Sequence, residues 1–354
     1  MREEELKKIL IINLGGIGDL LLCLPAIKAL TRHFPDAEVD MLTAKRVEEL
    51  TKAIPFIKKA FFLYVNKRDG SFLRGAIKNL RTFTELQNKK FDLAINMRTI
   101  VSKKGALKIK FLMDRIRPRF TMGRDTDGLG GFFDLKVPET LVGKKSEMEY
   151  DCDTVRALGT DKVDKIFELN VRQDCQQRVD SILKSAGLFA DDVLIGIHPG
   201  GMPCHRLPIE KLAAAIDELS KKTGAKFVVT ADKDEAILSL RLQRSCKAKL
   251  IDLSEKLSIM DLFALIKRCD CFISNDTGPM HIAAVLKTPL VAIFGPGDLS
   301  RYDPRVISDN AIVLYNKEKC SPCYKYRCNH MSCFVKINPD EIVSAVSGLL
   351  KKHV

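Results

Sequence analysis

Short apolar segments alternate with amphipathic segments from one end of the chain to the other. The segment KILIINL at residues 8–14 is typical of a buried strand, and the segment after it has the periodicity of a helix. The alternation weakens between residues 115 and 145 and restarts with VLIGIHPGG at residues 193–201. Apolar strands alternating with helices indicate a parallel sheet covered on both faces, because only that arrangement removes each strand from water on both sides. We therefore expect an α/β fold with two doubly wound, Rossmann-like domains and a ligand in the cleft between them.

The length of 354 residues agrees with two domains. We place the first domain in residues 1–172, the second in residues 173–337 and a final helix in residues 338–354. We expect that helix to start at Asn338 and Pro339. The side-chain oxygen of asparagine can cap a helix, and proline is tolerated in the first helical turn.

Composition and charge narrow the class of protein. Hydrophobic residues make up 46% and charged residues 29%, as in globular proteins, and the longest apolar runs are shorter than the roughly 18 residues that span a membrane. The opening residues MREEELKK do not resemble a secretory signal, so we expect a cytoplasmic protein. The net charge of +13 favours an acidic partner, which could be a phosphate compound, an anionic lipid surface or a nucleic acid. The basic run KKGALKIK at residues 103–110 reads more readily as a solvated helix face than as a docking site.

A glycine-rich turn connects the first strand to the first helix. Gly16 and Gly18 would let a ligand approach the amino end of that helix, where free N–H groups favour anions. Leu21 stands where the third glycine of the dinucleotide fingerprint belongs, so a nicotinamide enzyme is disfavoured. Asp19 in the first helical turn has two equally supported interpretations: a carboxylate that caps the helix, or a general base.

Two further turns follow strands of the second domain. In IGIHPGGMPCHRLPIEKL, residues 195–212, Gly200 and Gly201 turn the chain after a strand, and His205 and Arg206 precede the next helix, where an arginine could pair with a diphosphate. The third turn predicts an anion site at a helix start, and a purely structural cap is its alternative. Its residues are Asp276, Thr277, Gly278, Pro279, Met280 and His281.

Four of the eleven cysteines cluster near the C-terminus as C-x2-C-x4-C-x4-C. The first pair has the spacing of a zinc knuckle, and four thiolates could complete a tetrahedron. A structural zinc ion, an iron–sulfur cluster and four reduced thiols remain open. The residues are Cys320, Cys323, Cys328 and Cys333.

Together these turns resemble glycosyltransferase family nine, the ADP-heptose:lipopolysaccharide heptosyltransferases. The resemblance covers most of the chain and rests on the order of four segments: the turn with Asp19, the HPGG turn and basic stretch at residues 198–206, DTGPMH at residues 276–281 and FGP at residues 294–296. It implies the two-domain GT-B architecture, with the last helix returning to the first domain.

The resemblance also implies a reaction. Asp19 matches the family's proposed general base, and the sugar would be transferred with inversion from a nucleotide-activated donor, ADP-heptose, to an anionic glycolipid acceptor such as the lipopolysaccharide inner core. No metal or other cofactor would be required for catalysis, and the basic chain would be drawn to the inner-membrane surface. The donor would contact residues of the three turns. An acid after the strand AKFVVTA is expected at the ribose, where Asp232, Asp234 and Glu235 all qualify and Glu235 is favoured.

The chain departs from the family at two positions of one short segment. The family commonly has lysine, then arginine or histidine, then tryptophan before the helix proline, whereas this chain has His205, Arg206 and Leu207. Arg206 could supply the missing cation. An epimerase-like enzyme that binds a nucleotide sugar is one alternative function, and a basic nucleic-acid-binding protein with a C-terminal metal knuckle is another. The second is disfavoured because basic residues do not alternate with aromatic ones.

Overall fold

The structure is a computed structural model, and it describes residues 6–65, 72–160, 163–164, 169–323 and 325–351. The chain divides into two compact units, Met1–Phe167 and Glu168–Val354. The division therefore falls slightly before the boundary that we placed after residue 172.

A parallel sheet of six strands forms the centre of the first unit, in the order β3-β2-β1-β4-β5-β6. The central strands read as continuous apolar runs because both faces of the sheet are covered. The elements are β1 (Lys8–Asn13), α1 (Ile17–His33), β2 (Glu38–Ala44), α2 (Glu48–Thr51), β3 (Ala60–Leu63), α3 (Phe72–Lys89), β4 (Leu93–Asn96), α4 (Lys103–Ile116), β5 (Phe120–Thr126), β6 (Leu135–Glu139) and α5 (Glu147–Arg156).

The two faces of the sheet at β1 are covered by different helices. Leu10 and Ile12 belong to one buried cluster with Leu86 of α3 and Leu112 of α4, so both helices cover the same side of the sheet. Side chains alternate along a strand, so the residues between Leu10 and Ile12 point to the opposite side. Helix α1 packs against α5.

The second unit repeats this arrangement. Its sheet has the order β12-β11-β10-β7-β8-β9, which is the same doubly wound order as in the first unit. The two Rossmann-like domains predicted from the alternation are therefore confirmed. The elements are α6 (Gln173–Ser185), β7 (Leu194–His198), α7 (Ile209–Thr223), β8 (Lys226–Val229), α8 (Ala236–Ser245), β9 (Leu250–Asp252), α9 (Ile259–Arg268), β10 (Cys271–Asn275), α10 (Gly278–Val285), β11 (Leu290–Phe294), α11 (Leu299–Tyr302), β12 (Ala311–Tyr315) and α12 (Pro339–Lys351).

Helix α12 packs inside the second unit, whereas the family resemblance implied a return to the first domain. Its apolar residues Ile342, Val346 and Leu349 are buried in the core of the second unit, and it contacts α7. The ammonium group of Lys211 on α7 donates to the carbonyls of residues 334, 335 and 337, at 2.8, 2.8 and 2.9 Å. These bonds fix the chain just before α12. Residues 352–354 lie outside the described part.

None of the helices in the described ranges is both long enough and apolar enough to cross a membrane.

Candidate functional site

In each sheet the strand order reverses between the two central strands, and this place is the topological switch point. In the first unit these strands are β1 and β4, and in the second they are β7 and β10. Ligands of doubly wound sheets bind at the carboxyl ends of such strands. The predicted residues Asp19, His205 and Asp276 follow three of these strands.

Asp19 lies in the first turn of α1, directly after β1. Its Oδ2 accepts a hydrogen bond of 2.8 Å from the backbone N–H of Gly16, the residue that precedes the helix. Asn13 at the end of β1 donates to the Asp19 carbonyl at 3.1 Å and accepts from the N–H of Gly15 at 3.0 Å. The capping interpretation of Asp19 is therefore confirmed, and the same bonds hold its carboxylate in one place at the strand end.

Gly15 has no room for a side chain. A Cβ atom at this position would lie 2.4 Å from both Cβ and Oδ2 of Asp19. At Gly16 the nearest atom, Asp19 Oδ2, would be 3.9 Å away, which is ordinary contact. The glycine-rich turn thus lets the backbone approach Asp19, a role that its sequence did not reveal.

Arg98 is a site residue that the sequence analysis missed. It follows β4, and its guanidinium group forms an ion pair with Asp19 Oδ1. The two side chains are 26% and 19% exposed, so the pair is accessible to a ligand. The sequence INMRT at residues 95–99 places Arg98 directly after a buried strand. Only the pairing of β1 with β4, however, brings this arginine next to Asp19.

A buried ionic cluster belongs to the same unit. Arg124 on β5 is fully buried and its Nη1 contacts Glu139 at 3.1 Å and Glu147 at 2.5 Å, while its Nη2 pairs with Asp151. Burial raises the pKa of Asp151 to about 7, although the Arg124 charge opposes this shift. Thr99, next to Arg98, donates to Glu139 at 2.9 Å or Glu147 at 3.1 Å. The cluster therefore anchors the segment that carries Arg98.

Gly16 and Gly18 were predicted to bind the donor. Both lie at the start of α1, where the N–H of Gly16 is donated to Asp19 and Gly18 is buried. Their contact with a donor remains a prediction.

In the second unit, Glu235 holds the turn after β7. Its Oε1 accepts from the N–H of Gly201 at 2.7 Å and from Arg206 Nη2 at 3.2 Å, and Arg206 Nε donates to the Gly201 carbonyl at 2.6 Å. A Cβ on Gly200 would lie 2.1 Å from Glu235 Oε2, so only glycine fits against this carboxylate. Glu235 was predicted at the ribose and Arg206 as the donor cation. In the structure both are engaged in fixing this turn, and their donor contacts remain predictions.

His198, the last residue of β7, lies beside this turn. Its Nε2 is 3.6 Å from Glu235 Oε2 and its Nδ1 is 3.2 Å from Thr230 Oγ1. Burial lowers the pKa of His198, and this effect exceeds the opposing attraction to Glu235. A neutral imidazole at neutral pH follows.

The turn after β10 is tied to the turn after β7. Asn275 Nδ2 donates to the carbonyls of Pro199 and Gly200 at 3.0 and 3.1 Å, and its Oδ1 accepts from the N–H of Leu207 at 3.1 Å. The predicted donor residues of these two turns are therefore brought together. This agrees with the pairing of β7 and β10 in the sheet.

Helix α10 begins at Gly278 without a side-chain cap. Thr277 occupies the capping position in extended conformation, yet its side chain makes no capping hydrogen bond. The first N–H groups of a helix have no partner within it, and the helix dipole adds positive potential there. Met280 and His281 are buried in the first two turns. Pro279 has no N–H, and the N–H of Met280 donates to the Thr277 carbonyl at 3.2 Å. The anion site at this helix start therefore rests mainly on the helix dipole and remains a prediction.

His205 faces Asp276 at this helix start. The Nδ1 of His205 is 3.3 Å from Asp276 Oδ2, and its Nε2 is buried without a hydrogen-bond partner among the described residues. A Cβ on Gly297 would lie 2.2 Å from the same Asp276 oxygen, so the turn after β11 also approaches closely. A buried nitrogen without a partner is costly, which favours a ligand atom at this place.

The C-terminal cysteines differ in exposure and form no disulfide bond within the part of the chain that the structure describes. Cys320 is exposed, Cys323 and Cys328 are half-buried and Cys333 is buried. Cys204, which precedes His205, donates its S–H to the carbonyl of Lys325 in the same segment. Within the described ranges, no three histidine, cysteine, aspartate or glutamate side chains converge closely enough to hold a metal ion. The geometry therefore adds no support to the zinc site, which remains a prediction.

Comparison with known proteins gives consistent results. The model of glycosyltransferase family 9 (heptosyltransferase) matches residues 79–333. Lipopolysaccharide heptosyltransferase 3 of Escherichia coli is 27% identical over 340 residues, which cover 94% of this chain and 95% of that protein. The solved structure of E. coli ADP-heptose lps heptosyltransferase II superposes with a TM-score of 0.76 at 19% identity, covering 98% of this chain and 99% of that one. A glycosyltransferase family 9 structure from Veillonella parvula gives 0.78 at 21% identity and covers 99% of each chain. At these identities the two solved structures establish a shared fold.

Proposed function

Because the chain belongs to glycosyltransferase family 9, the heptosyltransferase family, we propose that it transfers heptose from ADP-heptose to the inner core of lipopolysaccharide. It is a glycosyltransferase, and its relatives are heptosyltransferases. The observation that carries the proposal is the family match, which covers residues 79–333 and so includes part of the first unit and most of the second. The epimerase and nucleic-acid alternatives are not favoured, because the full-length relatives transfer heptose according to their names.

We propose Asp19 as the general base. It would accept the proton of an acceptor hydroxyl as that oxygen attacks the anomeric carbon on the face opposite the nucleoside diphosphate, which inverts the configuration. Each carboxylate oxygen offers two lone pairs, so the bonds from Gly16 and Arg98 leave room for this hydroxyl. An aspartate is a weak base for a sugar alcohol, and its contribution would come from fixed position. Asp19 lies outside the family match, so its role rests on this geometry and on the motif.

Arg98 fits the role of a positioning residue for Asp19. Its guanidinium group occupies one carboxylate oxygen and leaves the carboxylate few orientations. It also balances the charge of Asp19, which would otherwise repel an anionic acceptor. Removal of Arg98 should therefore lower kcat and weaken acceptor binding, whereas removal of Asp19 should lower kcat without weakening acceptor binding.

The donor diphosphate would bind at the amino end of α10. The helix dipole and the N–H of Gly278 would stabilise negative charge there, and that charge grows on the leaving ADP during transfer. Asp276 alone would repel the diphosphate. His205 Nδ1 contacts Asp276, and its buried Nε2 has no hydrogen-bond partner among the described residues, so this nitrogen would face the bound donor. His205 stands at the position where the family commonly has lysine. Transfer without a metal and attachment to the inner-membrane surface are further parts of the proposal.

Two measurements test the proposal. Incubation with ADP-heptose and a lipopolysaccharide inner-core acceptor should release ADP, and Asp19→Asn should lower kcat by about 100-fold or more while ADP affinity stays the same. Asp36→Asn, an exposed aspartate after α1, is the matched control. An unchanged kcat in Asp19→Asn would remove Asp19 from the chemistry.

Donor identity is tested by thermal shift with ADP-, UDP-, GDP- and CMP-linked sugars. Binding to the native state alone raises Tm, so ADP-heptose should give the largest increase. Gly278→Val and His281→Ala should weaken ADP binding. Unaltered ADP affinity in both variants would contradict a diphosphate site at α10.

A further inference from the structure

The outer faces of α3 and α4 carry large apolar side chains that are exposed to water. Ile77 and Leu80 on α3 are 59% and 57% exposed, and Leu107 and Phe111 on α4 are 67% and 58% exposed. Ile77 and Leu80 are three residues apart, and Leu107 and Phe111 are four apart, so each pair lies on one side of its helix. Single exposed apolar residues are normal, but a group of this size on neighbouring helices marks an interaction surface.

The two helices present these residues on one side of the first unit. Leu86 of α3 and Leu112 of α4 are buried in the same cluster, and the two helices contact each other. Their outward faces are therefore neighbours on the same outer layer. We call this surface the apolar–basic face and define it as Ile77, Leu80, Leu107, Phe111 and the four lysines Lys103, Lys104, Lys108 and Lys110.

The lysines give this face one sign of charge. All four are exposed, and none forms an ion pair with any residue that the structure describes. Asp114 is the one acidic residue in the sequence from Lys103 to Arg119. The Arg115 guanidinium lies 6.0 Å from the centre of the Phe111 ring, so a further cation borders the apolar group. The basic run at residues 103–110, which the sequence indicated to be a solvated helix face, therefore surrounds the exposed apolar side chains of Leu107 and Phe111.

We propose that the apolar–basic face docks on an anionic lipid membrane. Leucine and phenylalanine would enter the boundary between headgroups and acyl chains, and the lysines would contact lipid phosphates. Charge complementarity favours lipid over a protein partner, because a protein interface core is depleted of lysine whereas an anionic bilayer attracts it. The inference rests on the proposed function and deepens it, since a glycolipid acceptor is met at a membrane, but the face contains none of the residues assigned to catalysis or to the donor.

Vesicle flotation tests the inference. The full chain is mixed with vesicles of phosphatidylcholine alone or with about one third phosphatidylglycerol, at low and high salt. Each lysine near an anionic surface contributes up to about five-fold in partitioning, so Lys103→Gln, Lys104→Gln, Lys108→Gln and Lys110→Gln combined should weaken binding by at least about 10-fold. Leu107→Ser with Phe111→Ser should weaken it by a similar factor. Their side chains are exposed, so folding should be unaffected.

Matched controls separate this surface from general charge. Lys184→Gln, Lys221→Gln, Lys222→Gln and Lys249→Gln combined remove the same charge from exposed positions of the second unit and should leave binding within two-fold. Equal losses in both quadruple variants, or wild-type binding in the Leu107–Phe111 variant, would overturn the proposal. So would a dimer in sedimentation velocity that dissociates in that variant, because it would assign the face to a second copy of the chain.

Activity distinguishes failure of this inference from failure of the proposed function. With a soluble, delipidated inner-core acceptor, the variants of the apolar–basic face should release ADP at the wild-type rate. With the same acceptor in anionic vesicles they should be at least about 10-fold slower. Wild-type turnover without any vesicle binding would contradict the membrane inference alone.

Discussion

Replacement of Gly15 by alanine should displace the carboxylate of Asp19. The added Cβ would lie 2.4 Å from Asp19 Cβ, whereas carbon atoms in contact are separated by about 3.5–4.0 Å. A shift of about 1 Å is therefore needed. Asp19 Cβ cannot rotate away, and the residues after it, Leu20 to Leu24, are buried and hold α1 in place. The turn at residues 14–16 must move instead, and with it the N–H that Gly16 donates to Asp19.

The Gly15→Ala substitution should lower both the free energy of unfolding and the turnover number. Insertion of a methyl group into a tightly packed position typically costs about 1–3 kcal/mol of unfolding free energy. Misplacement of a reacting group by about 1 Å can cost about 100-fold in rate. We expect Gly15→Ala to fold, to bind ADP normally and to lose about 100-fold in kcat for heptose transfer.

Gly16→Ala is the control, one residue away. The nearest atom to its Cβ would be 3.9 Å distant and its φ of −91° suits any residue, so the carboxylate should not move. Alanine is a poorer helix cap than glycine, which costs about 1 kcal/mol or less. The assay is ADP release at saturating acceptor, with Tm measured on each variant. Wild-type kcat in Gly15→Ala, or equal losses in the two variants, would refute the link between this turn and catalysis.

Three other perturbations probe the buried and exposed charges of the chain. Arg124→Met should destabilise the first unit by about 3–5 kcal/mol in urea unfolding, because it leaves buried carboxylates unpaired, while Arg156→Met at a partly exposed pair should cost less than about 1 kcal/mol; similar losses would contradict the cluster's importance. Burial raises the pKa of Asp151 from 3.8 to about 7, so its contribution to stability is present below about pH 4 and is lost as the pH rises to about 7. The stability of the wild type relative to Asp151→Asn should therefore fall over that range and level off above it, and a constant difference would refute the raised pKa. Iodoacetamide at pH 7 should label Cys328 before Cys269, since backbone N–H groups lower the pKa of the first thiol and burial raises that of the second. Protection of Cys328 that a chelator removes would instead indicate bound metal.

Elements and turns were predictable because their signals are local. A strand of apolar residues such as β1 or β10 is recognised within a few positions, and the glycines and polar residues that follow it indicate a turn at a strand end. The alternation of these elements was enough for two doubly wound sheets, and the order of four motifs was enough for the family. The cap at Asp19 was also readable, because Gly16 and Asp19 are three residues apart.

Contacts between distant segments were not predictable in the same way. The pairing of Arg98 with Asp19 depends on β4 lying next to β1. The hydrogen bond from Gly201 to Glu235 depends in the same way on β8 lying next to β7. A helix such as α12 has the same apolar periodicity whichever unit it covers, so its packing on α7 could not be read from its residues.

The sequence by itself thus determined the α/β class, the two sheets and the family. Hydrophobic periodicity and turn residues are local signals, so each can be recognised within a short segment of the chain. Tertiary structure decided which charged groups meet. Ion pairs and hydrogen bonds act over about 3 Å, whereas Asp19 and Arg98 are 79 positions apart in the chain. Only the order of the strands brings such groups within reach of one another.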